Sequence, residues 1–181
     1  MYAIELFLSS HIDDFVREIW RDLKKYDITL NMANIKELIP HISIGVYSSE
    51  LPIEEFLSKL DFINLHKIDV KFDVLGMFPS SGTVFMAPTI TSELWESHRV
   101  FYKEFKEYNS LASDYYLPDK WNPHCTLAIK LDHSSLVKTM DFCLSKFTPM
   151  IGKMNKIAIV KLEFSNGECI SSKTIYSKSL N

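Results

Sequence analysis

The chain has 181 residues, of which 46% are hydrophobic, and its formal net charge at pH 7 is −3. This length suits one compact domain, which we expect to span residues 1–181, and the weak negative charge excludes a general attraction to long duplex nucleic acid. No apolar run approaches the roughly 20 residues of a membrane helix and no signal peptide is recognisable, so we expect a soluble, cytoplasmic protein with no membrane partner. Three scattered cysteines predict reduced thiols, and they indicate neither a disulfide framework nor a zinc site.

Hydrophobic spacing alternates between strand-like and helix-like along the chain. We predict a strand at 2–8, a helix to residue 23, a strand at 40–47, a helix over 53–60, strands at 67–74 and 83–87, a helix over 94–105, a strand at 123–131, a helix over 136–147, and a final hairpin of strands 156–164 and 168–176. Asn166-Gly167 marks the hairpin turn, and residues 108–121 have no clear period and are expected to form a loop.

This order of elements repeats itself, and no linker or low-complexity segment interrupts it. Alternation of polar and apolar residues over 67–74 indicates a strand with one wet face, which favours antiparallel sheets. We therefore predict an α+β fold of two pseudo-symmetric lobes, each an antiparallel sheet with two helices, enclosing a central cleft.

A finer repeat lies within that order. Residues 40–46, Pro-His-Ile-Ser-Ile-Gly-Val, match residues 123–129, Pro-His-Cys-Thr-Leu-Ala-Ile, position by position and 83 residues apart. Each copy has the pattern proline, histidine, apolar, hydroxyl, apolar, small, apolar. Both copies fall on the equivalent strand of their half.

Strand geometry assigns faces to this pattern, because successive side chains point to opposite sides. His41, Ser43 and Gly45 are expected to share one face, as are His124, Thr126, Ala128 and Lys130 in the second copy. We expect the small residues Gly45 and Ala128 to leave room for a ligand, and Cys125 to face the core. A pseudo-twofold axis would bring the two histidine faces together across the cleft.

Two imidazoles and two hydroxyls suit the cleavage of a phosphodiester. One neutral histidine takes a proton from an attacking water while the other, protonated, donates to the leaving ribose oxygen. Ser43 and Thr126 would bind the non-bridging oxygens. No acidic metal cluster accompanies the histidines, so we expect metal-free chemistry with no cofactor.

These two motifs resemble those of the 2H phosphoesterase superfamily, whose best-known branch contains the 2′-5′ RNA ligases and cyclic-nucleotide phosphodiesterases. The resemblance covers the element order of the whole chain and depends on the two short motifs. It implies that His41 and His124 are the catalytic pair and that Ser43 and Thr126 bind phosphate. It also implies action on 2′,3′-cyclic phosphates or 2′-5′ linkages without metal. The first motif carries Ser43 where threonine is also common in the family.

Three further residues are substrate-binding candidates, each with a plain structural alternative. Lys130 could pair with a phosphate or lie at a solvated strand end, and Tyr47 could stack on a base or cover the end of the sheet. Phe85 is a stacking candidate in the strand beside the predicted cleft. The loop aromatics Tyr115, Tyr116 and Trp121 suggest a nucleobase platform or an apolar anchor for their loop.

The functional hypothesis is therefore a hydrolase that opens 2′,3′-cyclic phosphates or 2′-5′ linkages on a nucleotide or RNA terminus. A non-catalytic nucleotide or RNA-end binding module is one alternative, and a 2′-5′ RNA ligase, which runs the same chemistry in reverse, is another. The near-identity of the motifs leaves open which histidine is the acid. We expect a monomer.

Overall fold

A computed structural model describes residues 1–181. Seven β-strands are present: β1 (Tyr2–Leu8), β2 (His41–Tyr47), β3 (Ile68–Phe78), β4 (Thr83–Pro88), β5 (Cys125–Ala128), β6 (Met150–Ser165) and β7 (Glu168–Ser179). Four α-helices are present: α1 (Ser10–Lys25), α2 (Ile53–Phe62), α3 (Ser92–Glu104) and α4 (His133–Lys146). The predicted 108–121 loop contains short 3₁₀ turns at its start and in its middle.

The helices form where the apolar spacing predicted them. In α1, Ile12, Val16, Ile19 and Leu23 recur at three- and four-residue intervals and are all buried. Asp13 lies in the first turn and Lys24 in the last, where each side chain opposes the helix dipole.

Side chains cap the later helices. Thr91 accepts a hydrogen bond from the Leu94 N–H at the start of α3, and Asp132 accepts one from the Ser135 N–H at the start of α4. None of the four α-helices has the length and apolar content needed to cross a lipid bilayer.

All strand pairings in the main sheet are antiparallel, in the order β2-β1-β6-β3-β4-β5, with β7 added to β6. The order is symmetric about its centre if β1 is treated as equivalent to β4, β2 to β5, and β3 to β6. The pseudo-twofold axis therefore passes between β3 and β6. The expected α+β class with two pseudo-symmetric lobes is confirmed.

The lobes differ from the two halves of the sequence in one respect. Each half gives its third strand to the other lobe, since β6 pairs with β1 and β3 pairs with β4. Strand β6 also pairs with β3 through Met150–Met154. The sequence predicted two separate sheets, but this pairing joins them into one continuous sheet. The long-range pairing with β3 explains why β6 exceeds its predicted length, whereas the extra residues at the end of β3 pair with β4 in a hairpin.

The two faces of the sheet have different neighbours. All four helices contribute to a large apolar core that covers one face, where Ile4, Leu6, Ile42 and Leu127 lie. The other face carries a small apolar cluster of strand residues around Ala3. Strands β2 and β5, at opposite ends of the sheet, are in contact, so the sheet curves until its two end strands meet.

Candidate active site

The two motif histidines are held in the same way. His41 Nδ1 lies 2.6 Å from the Ile39 carbonyl oxygen, and His124 Nδ1 lies 2.7 Å from that of Asn122. Each partner is the carbonyl two residues upstream. A carbonyl only accepts, so Nδ1 of each ring carries the proton and donates it. This tautomer leaves Nε2 of both rings as the atom that can exchange a proton with a substrate.

The rings are half-buried and influence each other. Burial, with a smaller contribution from the nearby His124, lowers the pKa of His41 from 6.5 to about 4. Burial also lowers the pKa of His124, although less strongly. In either position, an imidazole without a charged partner would therefore be neutral at pH 7.

A β-bulge follows the hydroxyl residue in both motifs. Ser43 pairs with Glu5 and Gly45 pairs with Ile4, so Ile44 is the extra residue in β2. In β5, Thr126 pairs with Phe85 and Ala128 with Val84, so Leu127 is the extra residue. The internal repeat therefore includes the same backbone irregularity at the same position.

The bulges reverse the alternation of side chains, and this corrects three expectations. Gly45 and Ala128 lie on the core side rather than in the cleft, because a Cβ on Gly45 would come within 2.9 Å of the Tyr47 ring. Tyr47 itself is fully buried and packs edge-on against Phe56. The proposed stacking of a base on Tyr47 is therefore wrong, because the ring packs in the core where no ligand reaches it.

Ser43 and Thr126 precede the bulges, and both stay half-buried beside their histidines, as the alternation predicts. Their backbone carbonyls accept indole N–H groups, from Trp121 to Ser43 at 2.9 Å and from Trp20 to Thr126 at 3.2 Å. Each tryptophan comes from the other half of the sequence. These bonds satisfy carbonyls next to the irregular part of each strand and link the two halves at the site.

Phe85 lies against the second histidine. Its ring centroid is 5.2 Å from that of His124, but the residue is only 9% exposed. Phe78 also contacts His124 edge-on, at 5.1 Å, and is more exposed than Phe85. Sequence reasoning missed Phe78 because the third strand was expected to end at residue 74.

Lys130 lies beyond the end of β5 with a left-handed backbone, φ +53°. Its ammonium group donates to the Gly167 carbonyl in the β6–β7 turn rather than facing His124 along the strand. In the structure, Lys130 therefore binds the turn between β6 and β7 and forms no hydrogen bond with either histidine.

Glu5 is the second site residue that the sequence did not reveal. It lies on β1 beside Ser43, it is 1% exposed, and its Oε1 is 3.3 Å from His41 Nε2. The sequence did contain one sign of this residue, because Glu5 is the single carboxylate inside the otherwise apolar run 2–8.

Of the remaining aromatic and thiol candidates, Trp121 and Cys125 have packing roles. Trp121 is 4% exposed and stacks on His98 at 4.1 Å, so it anchors the loop. Tyr115 is 81% exposed, and Tyr116 is half-buried in a 3₁₀ turn that lies against β2. Cys125 is buried on the core face, as its position predicted. No group of three or more His, Cys, Asp or Glu side chains is arranged to hold a metal ion.

Solved structures with this fold cover nearly the whole chain. A protein described as a phosphoesterase matches with a TM-score of 0.65 and 13% identity over 99% of this chain and 97% of that one. E. coli LigT in complex with 3′-AMP matches with a TM-score of 0.65, 11% identity and the same coverage. A Thermus thermophilus protein, TT0787, matches with a TM-score of 0.59 and 14% identity over 99% and 97%. At these identities the likeness concerns the fold.

A comparison with curated proteins finds no match. The family model of the 2′-5′ RNA ligase superfamily matches residues 62–162, which is more than half of the chain and includes His124 and Thr126. Together with the repeated histidine motif and the palindromic sheet, this match identifies the chain as a member of the 2′-5′ RNA ligase superfamily of 2H phosphoesterases.

Proposed function

We propose that the protein hydrolyses 2′,3′-cyclic phosphates, or 2′-5′ linkages, of nucleotides or RNA ends, with His41 and His124 as a metal-independent acid and base pair. The observation that carries this proposal is the matched anchoring of the two rings. Both histidines donate Nδ1–H to a backbone carbonyl and keep Nε2 for proton exchange. Packing alone does not require that two histidines in equivalent positions both have Nδ1 bonded to a carbonyl and Nε2 left available.

The reaction needs one proton removed and one supplied. One Nε2 takes a proton from water as its oxygen bonds to phosphorus. The bond from phosphorus to one ribose oxygen breaks, and that oxygen takes a proton from the other histidine. The product is a ribose phosphomonoester with a free neighbouring hydroxyl. In this proposal Ser43 and Thr126 donate hydrogen bonds to the non-bridging oxygens, whose negative charge grows in the transition state.

Relatives support the substrate class. The family is that of 2′-5′ RNA ligases, and LigT, which shares the fold, has been crystallised with 3′-AMP and with ATP. A nucleobase on the His124 side would meet Phe78, because Phe85 behind it is nine-tenths buried.

The test is turnover of a panel of 2′,3′-cyclic nucleotides, cyclic dinucleotides and 2′-5′ oligoadenylates by wild type, His41→Ala and His124→Ala in the presence of EDTA. We expect each substitution to lower kcat by about 10²–10⁴-fold with the fold retained by circular dichroism. His133→Ala, which changes an exposed histidine at the start of α4, is the control and should retain full activity. Full turnover by both site variants would overturn the proposal. Tight nucleotide binding without turnover by the wild type would instead favour a binding module.

A further inference from the structure

The pseudo-symmetry of the site fails at one position. Glu5 in β1 and Phe85 in β4 are equivalent, since each pairs with the hydroxyl residue of a motif immediately before the bulge. Each also lies beside the histidine of that motif. His41 therefore has a carboxyl group as its neighbour where His124 has a phenyl ring.

Glu5 has no other partner for its charge. No lysine or arginine forms an ion pair with it, and its Oε2 has no hydrogen-bond partner. Burial raises the pKa of the Glu5 carboxyl well above its ordinary value. The Glu5 carboxyl and His41 Nε2 are therefore placed to share one proton, held by the carboxyl or by the ring.

The titratable side chains within electrostatic reach of Glu5 include two thiols and a phenol, which carry no charge at neutral pH. Burial raises the pKa of the Cys125 and Cys169 thiols and of the Tyr116 phenol, and it keeps His124 neutral. His124 has only its carbonyl partner and the rings of Phe78 and Phe85. Only on the His41 side does the imidazole have a carboxyl group with which it can share a proton.

We propose that Glu5 is a positioning residue that keeps a proton at Nε2 of His41, which makes His41 the general acid and His124 the general base. This assignment rests on the proposed function. His124 Nε2 takes the proton of the attacking water, while His41 gives its Nε2 proton to the departing ribose oxygen. Glu5 and His41 are then left with one proton fewer and His124 with one more, and exchange with solvent restores both.

The first experiment follows the ring nitrogens of His41 and His124 by NMR as a function of pH, without substrate. In the wild type, we expect the His41 signals to report loss of the shared proton above pH 6.5, the ordinary histidine pKa. In Glu5→Gln this step should disappear and leave a single titration well below 6.5, because burial lowers the pKa of His41. The His124 signals should be unchanged. An unchanged His41 titration in Glu5→Gln would overturn the proposal.

The second experiment measures the pH dependence of kcat on a cyclic phosphate. Glu5→Gln should lower kcat at pH 7 by about 10²-fold, because the acid then lacks its proton, and should move the alkaline limb of the profile to lower pH. Glu5→Asp should restore part of the kcat at pH 7 and part of the position of the alkaline limb. Glu163→Gln, an exposed glutamate on β6, is the matched control. A shift of the acidic limb instead would reverse the roles of the histidines and overturn the assignment.

The two experiments separate two failures. A wild-type protein that opens no cyclic phosphate contradicts the proposed function, and the NMR titration still decides whether Glu5 controls the proton on His41. A wild-type enzyme that is active but insensitive to Glu5→Gln contradicts the role of Glu5 alone.

Discussion

Two indole N–H groups hold the backbone of the site. Trp20 and Trp121 donate to the carbonyls of Thr126 and Ser43, and both tryptophans are buried. Phenylalanine in their place keeps most of the apolar contact but leaves a carbonyl without its donor. The free energy of unfolding should fall by about 1–3 kcal/mol in Trp20→Phe and in Trp121→Phe.

Urea titration followed by circular dichroism measures this effect. Trp95→Phe is the matched control, because the Trp95 ring also stacks on Trp121 but its N–H makes no hydrogen bond within the protein. A loss in Trp95→Phe equal to that in Trp121→Phe would show that apolar contact, and not the hydrogen bond, stabilises the site.

The catalytic candidates were predictable as single residues because the repeat is visible in the sequence. His41, Ser43, His124 and Thr126 stand before the bulges, where alternation still holds. Tyr47 stands after a bulge, so the same argument gave it the wrong face. Glu5 meets His41 only through the pairing of β1 with β2, which one strand's sequence does not display.

At the scale of elements, one lysine closes the end of α2. Lys178 in β7 donates to the carbonyls of Leu60, Asp61 and Ile63 at 2.8–3.0 Å. These carbonyls lie at the C-terminal end of α2, where the helix dipole favours a positive charge. Lys178→Met should lower the free energy of unfolding by about 1–2 kcal/mol.

The control is Lys173→Met, an exposed lysine on the same strand, which should change the free energy of unfolding by less than about 0.5 kcal/mol. Hydrogen exchange at the end of α2 should increase in Lys178→Met only. Equal exchange in the two variants would contradict the capping role.

Element type was predictable because spacing along a helix or strand is a local property. The amphipathic repeat of α1 and the Asn166-Gly167 turn both appear where predicted. Element length depends on partners: β6 begins at Met150 because β3 pairs with it there, and β5 stops at Ala128 after its bulge.

At the scale of the whole molecule, buried histidines make stability depend on pH. Burial lowers the pKa of His98 from 6.5 to about 4, although its Nε2–H donates to the Tyr116 carbonyl. A pKa lowered by folding means that the unfolded chain binds more protons between these values. Stability from His98 is present above pH 6.5 and is lost as the pH falls towards 4.

The midpoint of urea unfolding should therefore decrease between pH 6.5 and 4, and His98→Phe should make this decrease shallower. His98 contributes on the order of 3 kcal/mol over the full range. His66→Phe, an exposed histidine, should leave the slope unchanged. An identical slope in wild type and His98→Phe would contradict the assignment.

The duplication of the fold was evident from the order of elements, but the exchange of third strands was not. Periodicity shows that a strand exists and does not show which strand it pairs with. The pairing of β1 with β6 and of β3 with β4 makes the sheet palindromic, and contact between β2 and β5 brings the motifs together. This closure brings His124 close enough to His41 to lower its pKa.

Hydrolysis of a 2′,3′-cyclic nucleotide in ¹⁸O-labelled water, followed by ³¹P NMR, tests the central claim most directly. We predict that the cyclic signal is replaced by that of one phosphomonoester carrying a single ¹⁸O, with EDTA present, and that His41→Ala and His124→Ala abolish the change. A cyclic signal that the wild type leaves intact across the nucleotide panel, or conversion that survives loss of both histidines, would contradict it.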